Sequence, residues 1–506
     1  MTFASPLRLP SFVAASIFAT LALGGCIGGG DPQGSARDGG SMVIGGAAVP
    51  TTLDPALATE MSALQALRAV YTPLLSYRHA DGRDGGELIP GLAQDLPRIS
   101  EDGLTYVLKL RRGLRYSNGA AVRPGDFERT VNRVRVLHSP LARLYEGIAS
   151  IEADSRSRNI RVTLAAPNPT FAHVLALPSS APLPAGVPIE DLSDRPPPGI
   201  GPYRIVRVRG ARLLVLTRER DFELPGIPAG HVDRIVYKKT RSPATQVQGI
   251  INGSLDLMQD AAPADLLPEI RSEYPDRYRE DVAATTVVLI PDTVSPQLDA
   301  ALVRRAIIES VDREELVRLY NGFLETGCNV VPETVRGYGR LDPCPYGRPE
   351  EPPDLVDAER QIQQAGAKGA SVRVHSAPGL PPRVAGSIAR ALRKIGLDVR
   401  LRGGTGARLR LERLAPLAAH PASFLAPLAQ SVFDQQLDDG VAGALSDTDS
   451  SGEAWAAVDE RVVTEGYAAP LGSELRPSFF SNRIDTANCV LVHPVLGVDL
   501  SGLCLK

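Results

Sequence analysis

The chain has 506 residues, 43% of them hydrophobic and 22% charged, with a formal net charge of −3. That is the composition of a globular protein too long for one core, so two or three packing units are expected. No basic block is long enough to track a phosphate backbone, which argues against a nucleic-acid partner. The seven histidines are scattered, with neither a C-x-x-C nor an H-E-x-x-H spacing, so no metal and no cofactor is expected. Neither a G-x-S-x-G elbow nor an S-x-x-K pair is present, and the chain does not read as an enzyme.

Residues 1–25 read as an address. Arg8 supplies the positive region, and residues 12–23 form an apolar run too short to span a bilayer comfortably. The run ends in Leu23-Gly24-Gly25-Cys26, which resembles the lipobox of bacterial lipoproteins. The resemblance implies that Cys26 is diacylated and becomes the new N-terminus, outside the cytoplasmic membrane. Residues 26–41, rich in Gly, Asp and Ser, then form a flexible tether. With Cys26 accounted for, four cysteines remain, allowing three connectivities. Cys328–Cys344 and Cys489–Cys504 are favoured, since each closes a short loop punctuated by Pro or Gly.

Met42 to Ile44 forms a short strand, and Asp54-Pro55 opens a helix that carries Leu64, Leu67 and Val70. Leu104, Tyr106, Leu108 and Leu110 alternate as a half-buried strand, followed by a helix over residues 127–136. Ile160, Val162 and Leu164 make another strand, and residues 205–208 and 213–216 pair as a hairpin. Residues 235–237, a helix from Pro243, the stop at Gly253 and a strand at Leu255 and Leu257 spell a βαβ unit. The same order recurs in Val372 and Val374, a helix through Val384, Ile388 and Leu392, Gly396, and Leu397 to Leu401. Between these units lies the apolar run Val287-Val288-Leu289-Ile290, stopped by Pro291. Leu298, Leu302, Val303, Ala306, Ile307 and Val311 then keep helical spacing. Asp312 caps a second helix, with Glu315 reaching back in a capping box and Val311 and Leu316 as the staple.

Four stretches stand out as landmarks: Pro50-Thr51-Thr52-Leu53-Asp54-Pro55, the run SEDGLTYVLKLRRGLRYSNGAAVRPGDF over residues 100–127, Gly199-Ile200-Gly201-Pro202-Tyr203, and VRRAIIESVDREEL over residues 303–316. Together they resemble the solute-binding proteins of peptide/nickel-type ABC importers. The resemblance implies an α/β, two-lobed periplasmic-binding-protein-like fold of the large peptide-binding class, with a ligand cleft between the lobes. Lobe I would cover residues 42–285 with 480–506 returning to it, and lobe II residues 286–479. It implies a monomer, lipid-anchored on the outer face of the cytoplasmic membrane, that binds a small peptide or peptide-like solute and delivers it to ABC permease subunits. Thr51, Thr52, Tyr71, Ser423 and Phe424 are the candidate ligand-binding residues.

Peptide-binding members often pair the ligand's amino group with an Asp in a D-Y-x-D-P-like stretch. Here that stretch reads Ala415-Pro416-Leu417-Ala418-Ala419-His420-Pro421-Ala422-Ser423-Phe424-Leu425, with no carboxylate. Burying an unpaired ammonium costs several kcal/mol, roughly. Either Glu412 or Asp434 serves instead, or the ligand is a capped peptide, glutathione-like thiol, haem-like compound or glycan. A degenerate binding lipoprotein acting as scaffold or sensor is the alternative reading. Trp455 reads as a helix packing residue, Arg111-Arg112 and Arg304-Arg305 as solvated faces, and Gly403-Gly404-Thr405-Gly406 as a loop.

Overall fold

The computed structural model describes residues 38–401, 406–446 and 452–506. The leader, Cys26, the tether up to Arg37, and Gly403, Gly404 and Thr405 lie outside the described residues.

The N-terminal strand Ser41–Gly46 runs parallel to both neighbours, Arg234–Lys239 on one side and Leu257–Met258 on the other. The expected βαβ unit is therefore present, with the first strand of the chain inserted between its two strands. Its helix, Pro243–Ile251, starts where the Ser242 side chain accepts the Thr245 N–H at 3.2 Å and Pro243 needs no N–H partner. Val247 and Ile250 then bury against Leu255 and Met258. The hairpin Tyr203–Val208 and Leu213–Arg218 completes this five-stranded sheet.

A second, antiparallel sheet holds Thr105–Lys109 between Arg98–Ile99 and Asn159–Leu164, with Ile148–Asp154 at the edge. Alternation places Tyr106, Leu108, Ile160, Val162 and Leu164 inside, as the sequence pattern requires. The bend at Gly199 explains itself at close range. A Cβ there would lie 2.5 Å from the Val70 carbonyl oxygen, and one at Gly201 would lie 2.7 Å from that of Ala69. Only glycine lets the bend sit on the end of helix Met61–Val70, where the Ile200 carbonyl accepts the Thr72 N–H at 2.6 Å. Residue 200 contributes its backbone there, so Ile fits.

The apolar run at 287–290 is the inner half of a longer strand, Tyr278–Pro291. It pairs antiparallel with Ala469–Phe479 and Ala407–Leu414, at the centre of a six-stranded mixed sheet. Val287 to Ile290 are all buried, because both sheet faces are covered. The second βαβ unit is also present: Ser371–Ser376 and Asp398–Arg400 are parallel neighbours, joined by helix Val384–Lys394.

Four local expectations are corrected. Asp54-Pro55 opens a single turn, and the helix begins at Met61. Leu302 is 42% exposed and off the apolar face of helix Ala301–Glu309. Asp312 does cap helix Arg313–Leu319, accepting the Glu315 N–H at 2.8 Å. Glu315 does not reach back; its carboxylate accepts from Ser387 Oγ at 2.6 Å and Arg390 at 2.7 Å. Arg304 is buried, donating to the Glu465 carbonyl at 2.9 Å and lying over the Tyr467 ring.

Beyond Phe479 the chain packs against the first sheet, with Ser481 Oγ donating to buried Asp256 at 2.7 Å and Arg483 at 3.2 Å. Disulfides join Cys328 to Cys344 and Cys489 to Cys504, with Cα–Cα distances of 5.7 and 5.5 Å. The large apolar core runs without a break through the three larger sheets, and a smaller cluster lies under helix Pro243–Ile251. Among the described residues no helix is long and apolar enough to cross a membrane.

Candidate functional site

The segment that lacks the expected carboxylate does not face empty solvent. It packs on the N-terminal half of the chain through a column of rings. Tyr77 ends strand Leu75–Tyr77, and its hydroxyl is 3.1 Å from His173 Nδ1 in helix Phe171–Val174. The His173 and His420 ring centroids are 5.6 Å apart, and His420 and Trp455 are 5.9 Å apart. On its other side Tyr77 meets His493 at 4.5 Å.

These imidazoles are neutral. Burial, with a smaller effect of His420, pushes His173 down to about 3, and burial pushes His420 down to about 4. His420 Nδ1 accepts the Ala422 N–H at 3.2 Å, so the unprotonated nitrogen starts helix Ala422–Ala429. His493 Nδ1 likewise accepts from Val495 and Leu496, at 3.0 and 2.9 Å. Nearby, Asp499 contacts His79 and lies 3.7 Å from Arg68. Burial alone would raise its carboxyl, but Arg68 and His79 outweigh it and hold it well below the ordinary range.

Two further contacts cross between the same halves. Arg83 Nε donates to the Glu333 carbonyl at 2.9 Å and lies 5.9 Å over the Tyr338 ring, while Arg336 pairs with Glu87 at 3.1 Å. Glu333 and Tyr338 also line a cavity of about 550 Å³, together with Glu325, Asn329, Arg340 and Arg348. Burial and then the charge of Glu333 raise the Glu325 carboxyl. The cavity wall is the loop closed by Cys328–Cys344, pinned from behind by buried Asp459. Asp459 accepts from Asn329 Nδ2 at 3.0 Å and from the N–H groups of Val330 and Val331 at 3.0 and 3.2 Å. Both signs of charge line this space, which can hold a zwitterion.

The sequence candidates fall out unevenly. Tyr71 and Phe424 are each 1% exposed and pack in the core. The Tyr71 hydroxyl donates to the Pro197 carbonyl at 2.6 Å, and Phe424 lies on the inward face of its helix with Leu425 and Leu428. Ser423 is partly exposed and adjoins the column, its N–H donating to the His420 carbonyl at 3.0 Å. Thr51 is exposed and Thr52 half-exposed, in the loop ahead of Asp54. Of the nominated counter-charges, Asp434 is paired with Arg461 at 2.7 Å and accepts from Tyr467, and Glu412 is paired with Arg410 at 2.9 Å. Trp455 is buried as expected of a packing residue, yet its ring partner is His420. Tyr77, His173, Glu325 and Glu333 were not singled out; isolated residues in apolar or loop sequence carry no spacing signal. His420-Pro421 was in view, and only its partners were hidden.

Comparison with known proteins gives a consistent result. Residues 87–448 match the family described as "Bacterial extracellular solute-binding proteins, family 5 Middle". Over 327 residues the chain is 23% identical to the glutathione-binding protein GsiB of Escherichia coli, covering 62% of this chain and 59% of that protein. The chain thus aligns to under two thirds of the length of the curated relatives it matches. Among solved structures, the clavulanic acid biosynthesis oligopeptide binding protein 2 superposes with a TM-score of 0.81 at 21% identity, covering 93% of this chain and 96% of that one. The periplasmic binding protein DppA of Helicobacter pylori, in complex with the peptide STSA, gives 0.68 at 21% identity over 93% and 99%. The unliganded open form of the murein tripeptide binding protein MppA gives 0.76 at 15% identity over 93% and 99%. The fold is the two-lobed α/β architecture of these periplasmic binding proteins.

Proposed function

Because the chain belongs to family 5 of the bacterial extracellular solute-binding proteins, we propose that it captures a peptide or peptide-like solute between its lobes and hands it to an ABC permease. The lobes are residues 42–285 with 480–506, and 286–479. Cys26 carries the lipid that holds the protein, as a monomer, at the outer face of the cytoplasmic membrane. Binding and release, without bond breaking, is the activity.

The observation that bears most on this reading is a cavity of about 550 Å³ within residues 286–479, lined by Glu325, Glu333, Tyr338 and Arg340, whose Glu333 and Tyr338 are met by Arg83 of the other lobe. A solute ammonium there meets Glu325 and Glu333, and a carboxylate meets Arg340 or Arg348. That replaces the acid missing from residues 415–425, and it keeps free peptides and glutathione-like compounds within the ligand class. Thr51, Thr52 and Ser423 do not line this cavity and remain candidates for contact in the cleft between the lobes. A ligand shuts the lobes only to the extent that it binds the shut form better than the open one.

Native mass spectrometry of the purified chain, with thermal unfolding against tetrapeptides and glutathione, tests this. A ligand at about a hundred times its Kd adds close to 3 kcal/mol. Glu333→Gln is expected to remove the shift for free peptides and keep it for N-acetylated ones. A chain that carries nothing and shifts with nothing is the scaffold instead.

A further inference from the structure

We propose that the outer face of the hairpin half of the first sheet is a docking surface for an anionic phospholipid membrane. Pairing of Val236 with Val215 and of Val215 with Arg207 puts these three residues on one side of the sheet. Ile235, Tyr237, Leu214 and Leu216 point to the other side and are buried; on the outer side Val215 is buried too, and it is the flanking cations that are exposed. By the two-residue alternation, Arg234 and Lys238 share the outer side with Arg207. The turn at the end of the hairpin adds Arg209 and Arg212, whereas Lys239, by the same alternation, lies on the side of Tyr237. Arg207, Arg209, Arg212, Arg234 and Lys238 are all exposed, and among the described residues none of these five forms an ion pair. Neighbouring cations differ: Arg204 is paired with Glu219 and Arg220 with Asp233. The whole chain carries a net charge of −3, so this face is a local reversal of sign.

Two observations select lipid as the occupant. The tyrosines of these strands, Tyr203 and Tyr237, are buried, and the exposed apolar residue there is Val206. A protein partner normally needs an aromatic or apolar anchor at the centre of its patch, whereas a headgroup layer needs only opposite charge. The chain also enters the domain beside this face, with Ser41 opposite Arg234 and the Arg234 N–H donating to the Gly40 carbonyl at 3.2 Å. Fully extended, residues 26–37 reach at most roughly 40 Å, so an anchor at Cys26 keeps the Arg234 end of the face near the bilayer, with the turn a strand length further on. The proximity argument rests on the proposed anchor; the charge argument does not.

The experiment therefore leaves out the acyl chain. The chain from Ile27 onward, which contains both cores and both disulfides, is sedimented with vesicles of phosphatidylcholine alone or with about 30% phosphatidylglycerol. Binding about tenfold stronger to the anionic vesicles, and lost on going from about 0.05 M to about 0.5 M salt, is expected. The triple variant Arg209→Glu, Arg212→Glu, Lys238→Glu should bind both vesicles equally while melting at the parent temperature; Arg112→Glu, Arg305→Glu, Lys394→Glu, exposed cations elsewhere, should bind as the parent does. Equal binding of the parent chain to both vesicles, or no effect of the first triple variant, overturns the proposal. Retention on poly-glutamate beads without affinity for the anionic vesicles overturns it in favour of an acidic protein partner.

Discussion

The loop at Asp54 and the seam at His420 both bury polar side chains, and they solve that problem in opposite ways. Asp54 is met by an ion-pair partner. It takes Arg133 through two hydrogen bonds, at 2.7 and 2.5 Å, and accepts the N–H groups of Ala56 and Leu192 as well. His173 and His420 have none: burial holds both rings neutral, and each spends its Nδ1 on a neutral partner. A paired charge inside a lobe makes a rigid post, since breaking it strands an ion. Neutral rings where two halves meet impose little, so the contact can form and part at small cost. The same chain thus places its stiffest polar contact away from the place expected to move.

The comparison can be broken from several directions. Asp54→Ala strands the Arg133 guanidinium and should cost about 3–5 kcal/mol in urea unfolding; a loss below about 1 kcal/mol would mean that water already serves the Arg. Asp459→Ala orphans three donors behind the cavity wall and should cost about 2–3 kcal/mol. Burial pushes the Asp459 carboxyl up to about 6, although the donors from Asn329, Val330 and Val331 oppose it. Its folded pKa exceeds the ordinary value, so its protonation favours the fold at low pH, and that gain is lost as pH rises through about 6.

The seam has the reverse sign. With folded values of about 3 and 4, His173 and His420 contribute stability that is present above the ordinary histidine pKa near 6.5. It falls as the pH drops through that value towards 4, at roughly 1.4 kcal/mol per unit for each ring. Urea midpoints of wild type and His173→Gln/His420→Gln between pH 7 and 4.5 should diverge, the double variant being flatter. Parallel curves would show that the rings are not buried as a pair. The smallest effect is expected at Glu315→Gln, about 0.5–1 kcal/mol, because its partner Arg390 is largely exposed.

What could be read from the sequence follows the same division. Both βαβ units, the hairpin, the Asp312 cap and the two disulfides rest on local periodicity, turn residues and short spacings, and all are found in the structure. The Glu315 capping box failed because a partner from helix Val384–Lys394, distant in sequence, competes for that carboxylate. Arg304 failed for the same reason, its acceptors lying at Leu298, Asp299 and Glu465. The seam was hidden almost wholly, since Tyr77, His173, His420 and Trp455 come from four separate segments. Tyr71 and Phe424 lie in the core, and an aromatic residue in a motif does not declare beforehand whether it faces solute or core.

Trp455 is the single tryptophan of the chain and stands at the end of the ring column, so its fluorescence reports on the seam directly. Titrating the protein with a free tetrapeptide or with glutathione should give a saturable change in its emission, with a midpoint equal to the calorimetric Kd. Calorimetric binding with an emission that stays flat from start to finish would put the solute elsewhere and contradict the account.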